Sequence, residues 1–324
     1  MTQVVETAAS KASTKRETDM AETLQQKEPS LVERFKEIGF DDHVMLAAQG
    51  AARLGARQIL KFHGASQEKL RTELKAGDMT PVTAADIASE EAILKIITTR
   101  LYSPDEVHAE EKGRADTAEH SIMWYVDPLD GTRSFTREQT ASTVGICMYE
   151  HNEPHTAVIC RPFQCELLLA GKGRGAFVFP LDDKQKIIGP AKRVHVAERK
   201  DLTGGIFYWD GVMTGKNVDR ALRMFEGVIA DTGKTDFRAL GTNIGEQAEV
   251  ALGHGDLKLT TGVGGFYDIA VGGLIIQEAG GEVIDENGKP ISPGSKAALF
   301  GNPELIKKYG PLFQQCYAGY DGFA

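Results

Sequence analysis

The chain has 324 residues, 41% hydrophobic and 26% charged, enough apolar material for a large core and one or two domains. A formal net charge of -9 argues against a general nucleic-acid or anionic-membrane binder, since both need a basic field. An anionic small substrate stays allowed where bound cations neutralise its site. Cys147, Cys160, Cys165 and Cys316 form no C-x-x-C pair or zinc spacing, and no apolar run could span a bilayer. With no signal-peptide pattern either, reduced thiols and a cytoplasmic location are expected.

Residues 1 to 30 carry few large apolar side chains and read as a disordered N-terminal tail. From Asp41 to Phe62 the apolar spacing is helical, with many alanines that suit close packing. Thr83 or Asp86 could cap a second helix that runs to about Leu101. For Asp86 the plain alternative is a first-turn acid favoured by the helix dipole. Val107 to Gly113 is a short apolar entry into Glu110 and Glu111. Neighbours on extended chain point to opposite sides, so one of these acids is expected to face a given site. The plain alternative is a solvated acidic loop.

Ile122 to Val126 reads as a buried strand that stops at Asp127. Pro128, which has no N–H to give a ladder, then separates Asp127 from Asp130. Two carboxylates and the Leu129 carbonyl thus cluster where a strand gives way to a turn. Gly131 would let an anion approach the backbone N–H groups of Gly131 and Thr132. Hard oxygen donors beside an anion cradle suit Mg²⁺ and a phosphate, although Asp, Pro and Gly also make ordinary turns.

Three strand-like runs follow, Thr143 to Tyr149, Thr156 to Cys160 and Glu166 to Ala170, and read as an antiparallel meander. His151 and His155 read as loop residues. The glycines of 171–175 precede no helix pattern and so form no phosphate loop. The polar stretch Pro180 to Pro190 separates an N-terminal α+β domain, 40–180, from a C-terminal α/β domain, 190–315.

In the second half, Ile206 to Trp209 reads as a strand, and Trp209-Asp210-Gly211 as a turn. Val218 to Ala230 reads as a helix. Thr232-Gly-Lys-Thr235 lacks the earlier glycine of a Walker motif. A further helix ends near Leu252, and Leu257 to Thr260 reads as a short strand. Gly264-Gly265 opens a last strong helix with Asp268 in its first turn, where a cap is the plain reading. Gly280-Gly281 ends it.

Three of these segments, taken in order, resemble the inositol monophosphatase family of magnesium-dependent, lithium-sensitive phosphatases. They are Ala109-Glu110-Glu111, Asp127-Pro-Leu-Asp130-Gly-Thr132, and Tyr267-Asp268-Ile-Ala leading to Glu278-Ala-Gly-Gly281. The resemblance covers roughly residues 40 to 310. It implies an α/β layered fold, an αβαβα sandwich, often dimeric, so a homodimer is implied. It implies that Glu110, Asp127, Asp130, Asp268 and the Leu129 carbonyl hold two or three Mg²⁺ ions, with Li⁺ inhibiting. Asp86 and Thr132 match the pair that orients a metal-bound water, and Glu110 the acid that helps activate it. Asp130 matches a residue beside the substrate as well as a ligand. The N–H groups of Gly131 and Thr132 match the phosphate clamp. Arg238, Gly241 and Thr242 match a segment lining the substrate pocket.

The residues' own chemistry agrees. Four gathered carboxylates repel one another by about 1–4 kcal/mol per pair at about 4 Å, so such a site needs cations. The departures bear on the substrate, expected to be a small phosphate monoester. Arg133 follows Thr132 where inositol enzymes carry Asn. Tyr267 replaces a common Trp. Thr260 and Thr261 stand where an acid usually meets the sugar hydroxyls. Arg133 is more like histidinol-phosphate phosphatases and 3'(2'),5'-bisphosphate nucleotidases, though it could equally be a surface residue; Tyr267 is closer to some histidinol-phosphate enzymes, and Thr260 and Thr261 speak against inositol recognition. A non-catalytic metal- and phosphate-binding regulatory protein is the reading from another class. Neither nucleic acid nor membrane is expected as a partner.

Overall fold

Two sheets organise the chain, each covered on both faces, so their strands are buried along nearly their whole length. A computed structural model of the chain describes residues 29–75, 80–100, 106–111, 121–210, 215–261 and 264–322. All but the last two residues of the expected tail lie outside this set. The chain divides into a first unit ending at Asp41 and a second from Asp42 to Ala324. In the first, α1 (Leu31–Glu37) opens on a capping box: Glu33 N donates to Ser30 Oγ, and Ser30 N to Glu33 Oε2.

The second unit begins with α2 (His43–Phe62), capped by Asp42, whose Oδ1 accepts from Met45 N at 2.8 Å. A one-turn α3 (Gln67–Leu70) and the hairpin of β1 (Glu73–Leu74) and β2 (Pro81–Val82) lead to α4 (Ala84–Arg100). Ala48, Ala51, Ala52 and Ala56 of α2 are fully buried, and these small side chains let α2 and α4 pack closely.

The larger sheet has seven strands in sequence order. These are β3 (Val107–Ala109), β4 (Ile122–Asp130), β5 (Thr143–Glu150), β6 (Glu153–Arg161), β7 (Glu166–Gly171), β8 (Gly175–Pro180) and β9 (Lys192–Arg193). β3 and β4 are parallel, and every later pair is antiparallel. A one-turn α5 (Thr132–Phe135) follows β4.

The second sheet comprises β10 (Ile206–Asp210), β11 (Asp236–Arg238), β12 (Leu257–Thr261), β13 (Glu282–Asp285) and β14 (Ala297–Gly301), in the order β11-β10-β12-β14-β13. β10 is parallel to β11 and β12, and the remaining pairs are antiparallel. Its helices are α6 (Gly215–Thr232), α7 (Asn243–Ala251), α8 (Tyr267–Glu278) and α9 (Pro303–Tyr317).

The layers follow from strand parity. Tyr125, Cys147, Ala157, Ile159 and Leu168 of the large sheet pack with Ile244 of α7 and Ile269, Val271 and Leu274 of α8. Residues of the other parity, such as Trp124, Ile146 and Val158, belong to the face covered by α2 and α4. On the second sheet, Phe207, Leu257, Leu259 and Leu299 pack with Met224 of α6 and with Leu305 and Phe313 of α9. The result is the layered α/β sandwich, with α7 and α8 between the sheets.

Three expectations change. β4 does not stop at Asp127 but runs through Pro128 to Asp130, because the register shifts between Asp127 and Asp130 and the proline sits in that irregularity. β6 begins at Glu153, so Pro154 and His155 are strand residues. Pro154 again lies at a register shift, opposite Tyr149, where no ladder donor is needed. Glu110 and Glu111 do not diverge, because β3 ends at Ala109 and the chain turns there.

The site depends on how closely α7 and α8 approach β5. Gly145 allows this: a Cβ there would lie 2.6 Å from Ile244 Cδ1 and 3.2 Å from Val271 Cγ2. Gly145→Val should therefore lower the unfolding free energy by about 1–3 kcal/mol in a urea titration.

Candidate active site

The turn after β4 is built by backbone geometry. Asp127 pairs with Gly145 and Asp130 with Thr143, so three steps on β4 match two on β5 and the strand bulges. Gly131 follows at φ 84°, and a Cβ there would meet the Gly241 carbonyl at 2.9 Å. Only glycine fits that conformation so close to another backbone.

Each acid is held by donors of its own. Asp127 Oδ1 accepts from Leu129 N at 3.0 Å. Asp130 lies at the N-terminus of α7: Oδ1 accepts from Asn243 N at 2.8 Å, and Oδ2 from Ile244 N at 2.9 Å and Gly245 N at 3.2 Å. The hydroxyls of Thr143 and Thr242 also reach Asp130 Oδ2. Asp268 Oδ2 accepts from Gly264 N at 2.7 Å, so this acid tethers the loop before α8 rather than capping the helix.

Asp86 bonds in two directions. Oδ2 accepts from Thr83 N at 2.8 Å and Thr83 Oγ1 at 2.6 Å, which starts α4, while Oδ1 faces Thr132 Oγ1 at 2.8 Å. Thr132 Oγ1 also lies 3.0 Å from the Leu129 carbonyl.

These acids converge. Burial pushes the Asp127 carboxyl well up, and the charges of Glu110, Asp130 and Asp268 push it further. Glu110 is close enough to Asp127 for their carboxyls to share a hydrogen bond. Burial, then Glu110 and Asp130, raises Asp268 to about 7. Burial and Glu110 raise Asp86 to about 6 against its hydrogen bonds to Thr83 and Thr132. Lys75 Nζ bridges Glu110 and Glu111 at 2.7 Å each, and Glu111 N donates to Glu90 Oε2 at 2.9 Å. Even so, burial and the neighbouring Glu110 lift Glu111 to about 7.

The donor set suits a hard divalent cation: mutually repelling carboxylates and a carbonyl, with no sulfur. Among the described residues, no three His, Cys, Asp or Glu side chains are disposed as a ready cage. Asp130 is the most heavily engaged of the set, yet its Oδ1 accepts one hydrogen bond and keeps a lone pair.

A cavity of about 630 Å³ opens beside the turn, lined in part by Ser134, Thr140, Arg161, Leu240, Gly241 and Thr242. Gly241 and Thr242 therefore lie next to Gly131 and Asp130. Arg238 does not join them: it is exposed on β11 and its guanidinium grips Asp236 at 2.5 Å. Arg133 is exposed on α5. Behind this segment Glu246 Oε1 accepts from Leu240 N at 2.6 Å, and Glu246 Oε2 meets the fully buried Lys258 Nζ at 2.5 Å.

A model of the inositol monophosphatase family matches residues 41–317. The chain belongs to the inositol monophosphatase family. It is 30% identical over 272 residues to a Pasteurella multocida protein named Nus factor SuhB, covering 82% of this chain and 94% of that protein. It is 27% identical over 280 residues to the Dictyostelium discoideum inositol monophosphatase, covering 86% and 97%. The solved Thermotoga maritima IMPase superposes with a TM-score of 0.70 at 25% identity, covering 85% of this chain and 98% of that one. The Bartonella henselae SuhB structure has the same fold, with a TM-score of 0.72 at 24% identity, covering 86% and 100%.

Within this family frame, sequence reading missed three charged residues. Lys75 and Lys258 find their partners through tertiary contacts. Asp210, which the following Gly211 suggests is in a turn, ends β10 instead, and its charge raises both Asp130 and Glu246. Only the aromatic-Asp pair in Trp209-Asp210 hinted at it. No helix among the described residues is long and apolar enough to cross a membrane.

Two measurements follow. A carboxyl with a raised folded pKa gives stability that is present below its unfolded value, 3.8 for Asp and 4.5 for Glu, and lost as pH rises through the folded value. Burial and neighbouring charge push Asp86 up to about 6 and Glu111 to about 7, and raise Asp268, so a cation that relieves the repulsion matters more at higher pH. The rise in Tm on replacing EDTA with Mg²⁺ should grow between about pH 4 and about pH 7. Lys258→Met, which strands a buried Glu246, should cost about 3–5 kcal/mol in denaturant titration, with part recovered by adding Glu246→Gln.

Proposed function

We propose that this chain is a Mg²⁺-dependent phosphatase that hydrolyses a small phosphate monoester by direct attack of water. The observation that supports it is the convergence of Glu110, Asp127, Asp130 and Asp268 beside the Gly131–Thr132 turn, with Asp86 on Thr132. Glu110, Asp127, Asp130, Asp268 and the Leu129 carbonyl would hold the ions. Mg²⁺ held there would supply charge neutralisation for the phosphate and a lowered pKa for a bound water.

The chain's own groups do the rest. Asp86 Oδ1 takes the Thr132 hydroxyl proton in a hydrogen bond, which turns the oxygen lone pairs of Thr132 toward the attacking water. Glu110 accepts that water's proton. The backbone N–H groups of Gly131 and Thr132 hold phosphoryl oxygens. Gly241 and Thr242 border the leaving group. Arg238, tied to Asp236, and the exposed Arg133 are secondary contacts in this reading.

The Dictyostelium relative's name supports an inositol phosphate as substrate. Thr260 and Thr261 in place of an acid favour a leaving group other than inositol, such as histidinol or a nucleotide. A second reading, a regulatory binding protein, draws on the Pasteurella relative's name of Nus factor.

Phosphate release from inositol, histidinol, sugar and nucleotide monophosphates, with Mg²⁺ or with EDTA, separates these readings. Release should require Mg²⁺. Asp127→Asn should fall to background while keeping the wild-type circular dichroism spectrum, and Thr132→Ala should lose about 10²- to 10⁴-fold in kcat. An Asp127→Asn protein as active as wild type at saturating Mg²⁺ refutes the mechanism.

A further inference from the structure

We infer that Asp210 is a specificity-determining residue of this centre, selecting phosphate esters whose leaving group carries a protonated amine. The phosphoryl position is taken from the phosphatase reading above, and Asp210 adds the class of ester.

The placement comes from register. β10 pairs in parallel with β12, Tyr208 beside Lys258 and Asp210 beside Thr260. Side chains two apart on a strand share a face, so Asp210 lies on the face that carries Tyr208, Lys258 and Thr260. That face is the one under α7. Lys258 reaches Glu246 there, and Thr260 Oγ1 donates to Asn243 Oδ1 at 2.7 Å. Asn243 N in turn binds Asp130. Asp210 is thus the last residue of its strand, at the C-terminal end of three mutually parallel strands, where ligands gather in α/β sheets.

The chemistry comes from what surrounds it. Among the described residues, no hydrogen bond or ion pair engages the half-buried Asp210 carboxylate. The cations of the same row are taken: Lys258 by Glu246, and Arg238 by Asp236. Asp130 and Glu246 are both pushed up by the charge of Asp210, which places it near the base of the turn and the Leu240 segment. A half-buried, uncompensated carboxylate at this position gains most from a ligand that brings a positive charge. An ammonium supplies that and donates a charge-assisted hydrogen bond, whereas a hydroxyl supplies only the weaker neutral bond. No bond to the amine forms or breaks, and its proton stays in place.

The test uses the full chain with Mg²⁺ and two non-hydrolysable ligands of equal length, an aminoalkyl phosphonate and a hydroxyalkyl phosphonate, titrated by calorimetry. Wild type should bind the aminoalkyl ligand about 10- to 100-fold more tightly. Asp210→Asn, nearly the same shape, should cut that ratio to within about twofold. Asp210→Glu should restore part of it. A ratio unchanged by Asp210→Asn, or a wild type that binds the hydroxyalkyl ligand as tightly, overturns the assignment. Release of p-nitrophenol from p-nitrophenyl phosphate by wild type is scored separately. Absent release with the amine preference intact removes hydrolysis and leaves Asp210 as an amine-binding residue.

Discussion

Crowding of negative charge is the constraint on which the rest depends. Asp127 bears the charges of Glu110, Asp130 and Asp268, and Asp86 and Asp268 each feel Glu110. Unit charges this close repel by about 1–4 kcal/mol per pair at about 4 Å. The fold meets this locally. Asp130 is surrounded by backbone N–H groups and hydroxyls, Asp268 accepts from two glycine N–H groups, and Glu110 leans on Lys75. Each carboxylate is thus oriented by its own tether, while their mutual repulsion is left in place.

Much of this was legible because the Asp127–Thr132 spacing is short and unusual in composition. The helix α2 was legible because its apolar face recurs at helical spacing, and α4 and α8 because of their end signals, Thr83 and Asp86 at the start of one and the glycine pairs flanking the other. Asp86 was readable only as ambiguous, and it turns out to do both things, starting α4 with one oxygen and holding Thr132 with the other. What was lost had physical causes. Pro128 and Pro154 look like strand breakers, yet each sits where a register shift removes the need for its N–H. Lys258 lies within the short strand expected from Leu257 to Thr260. Its partner lies 12 residues back on α7, and nothing in the local pattern shows that the lysine is wholly buried. Asp210 was hidden by the glycine after it, which suggested a turn where the structure has a strand end.

Two kinds of polar residue therefore meet around α7. On the side of the large sheet, acids gather and, among the described residues, Lys75 at the edge meets them. On the side of the second sheet, a paired layer of Glu246 with Lys258 and Asn243 with Thr260 fixes the first turn of the helix. Gln247 Nε2 donates to the Asp268 carbonyl at 2.6 Å and links α7 to α8. The first group is the candidate site, and the second is a scaffold that carries the Leu240–Thr242 segment.

Asp130 belongs to a strand of one sheet, yet its bonds run to a helix packed over the other. The carboxylate is therefore a rivet between two halves as well as a member of the centre. Prising the layers apart by an ångström or two would uncap α7 and scatter the acids together, while both sheets kept their ladders. Partial opening of this molecule would disperse the acid cluster long before its secondary structure melted.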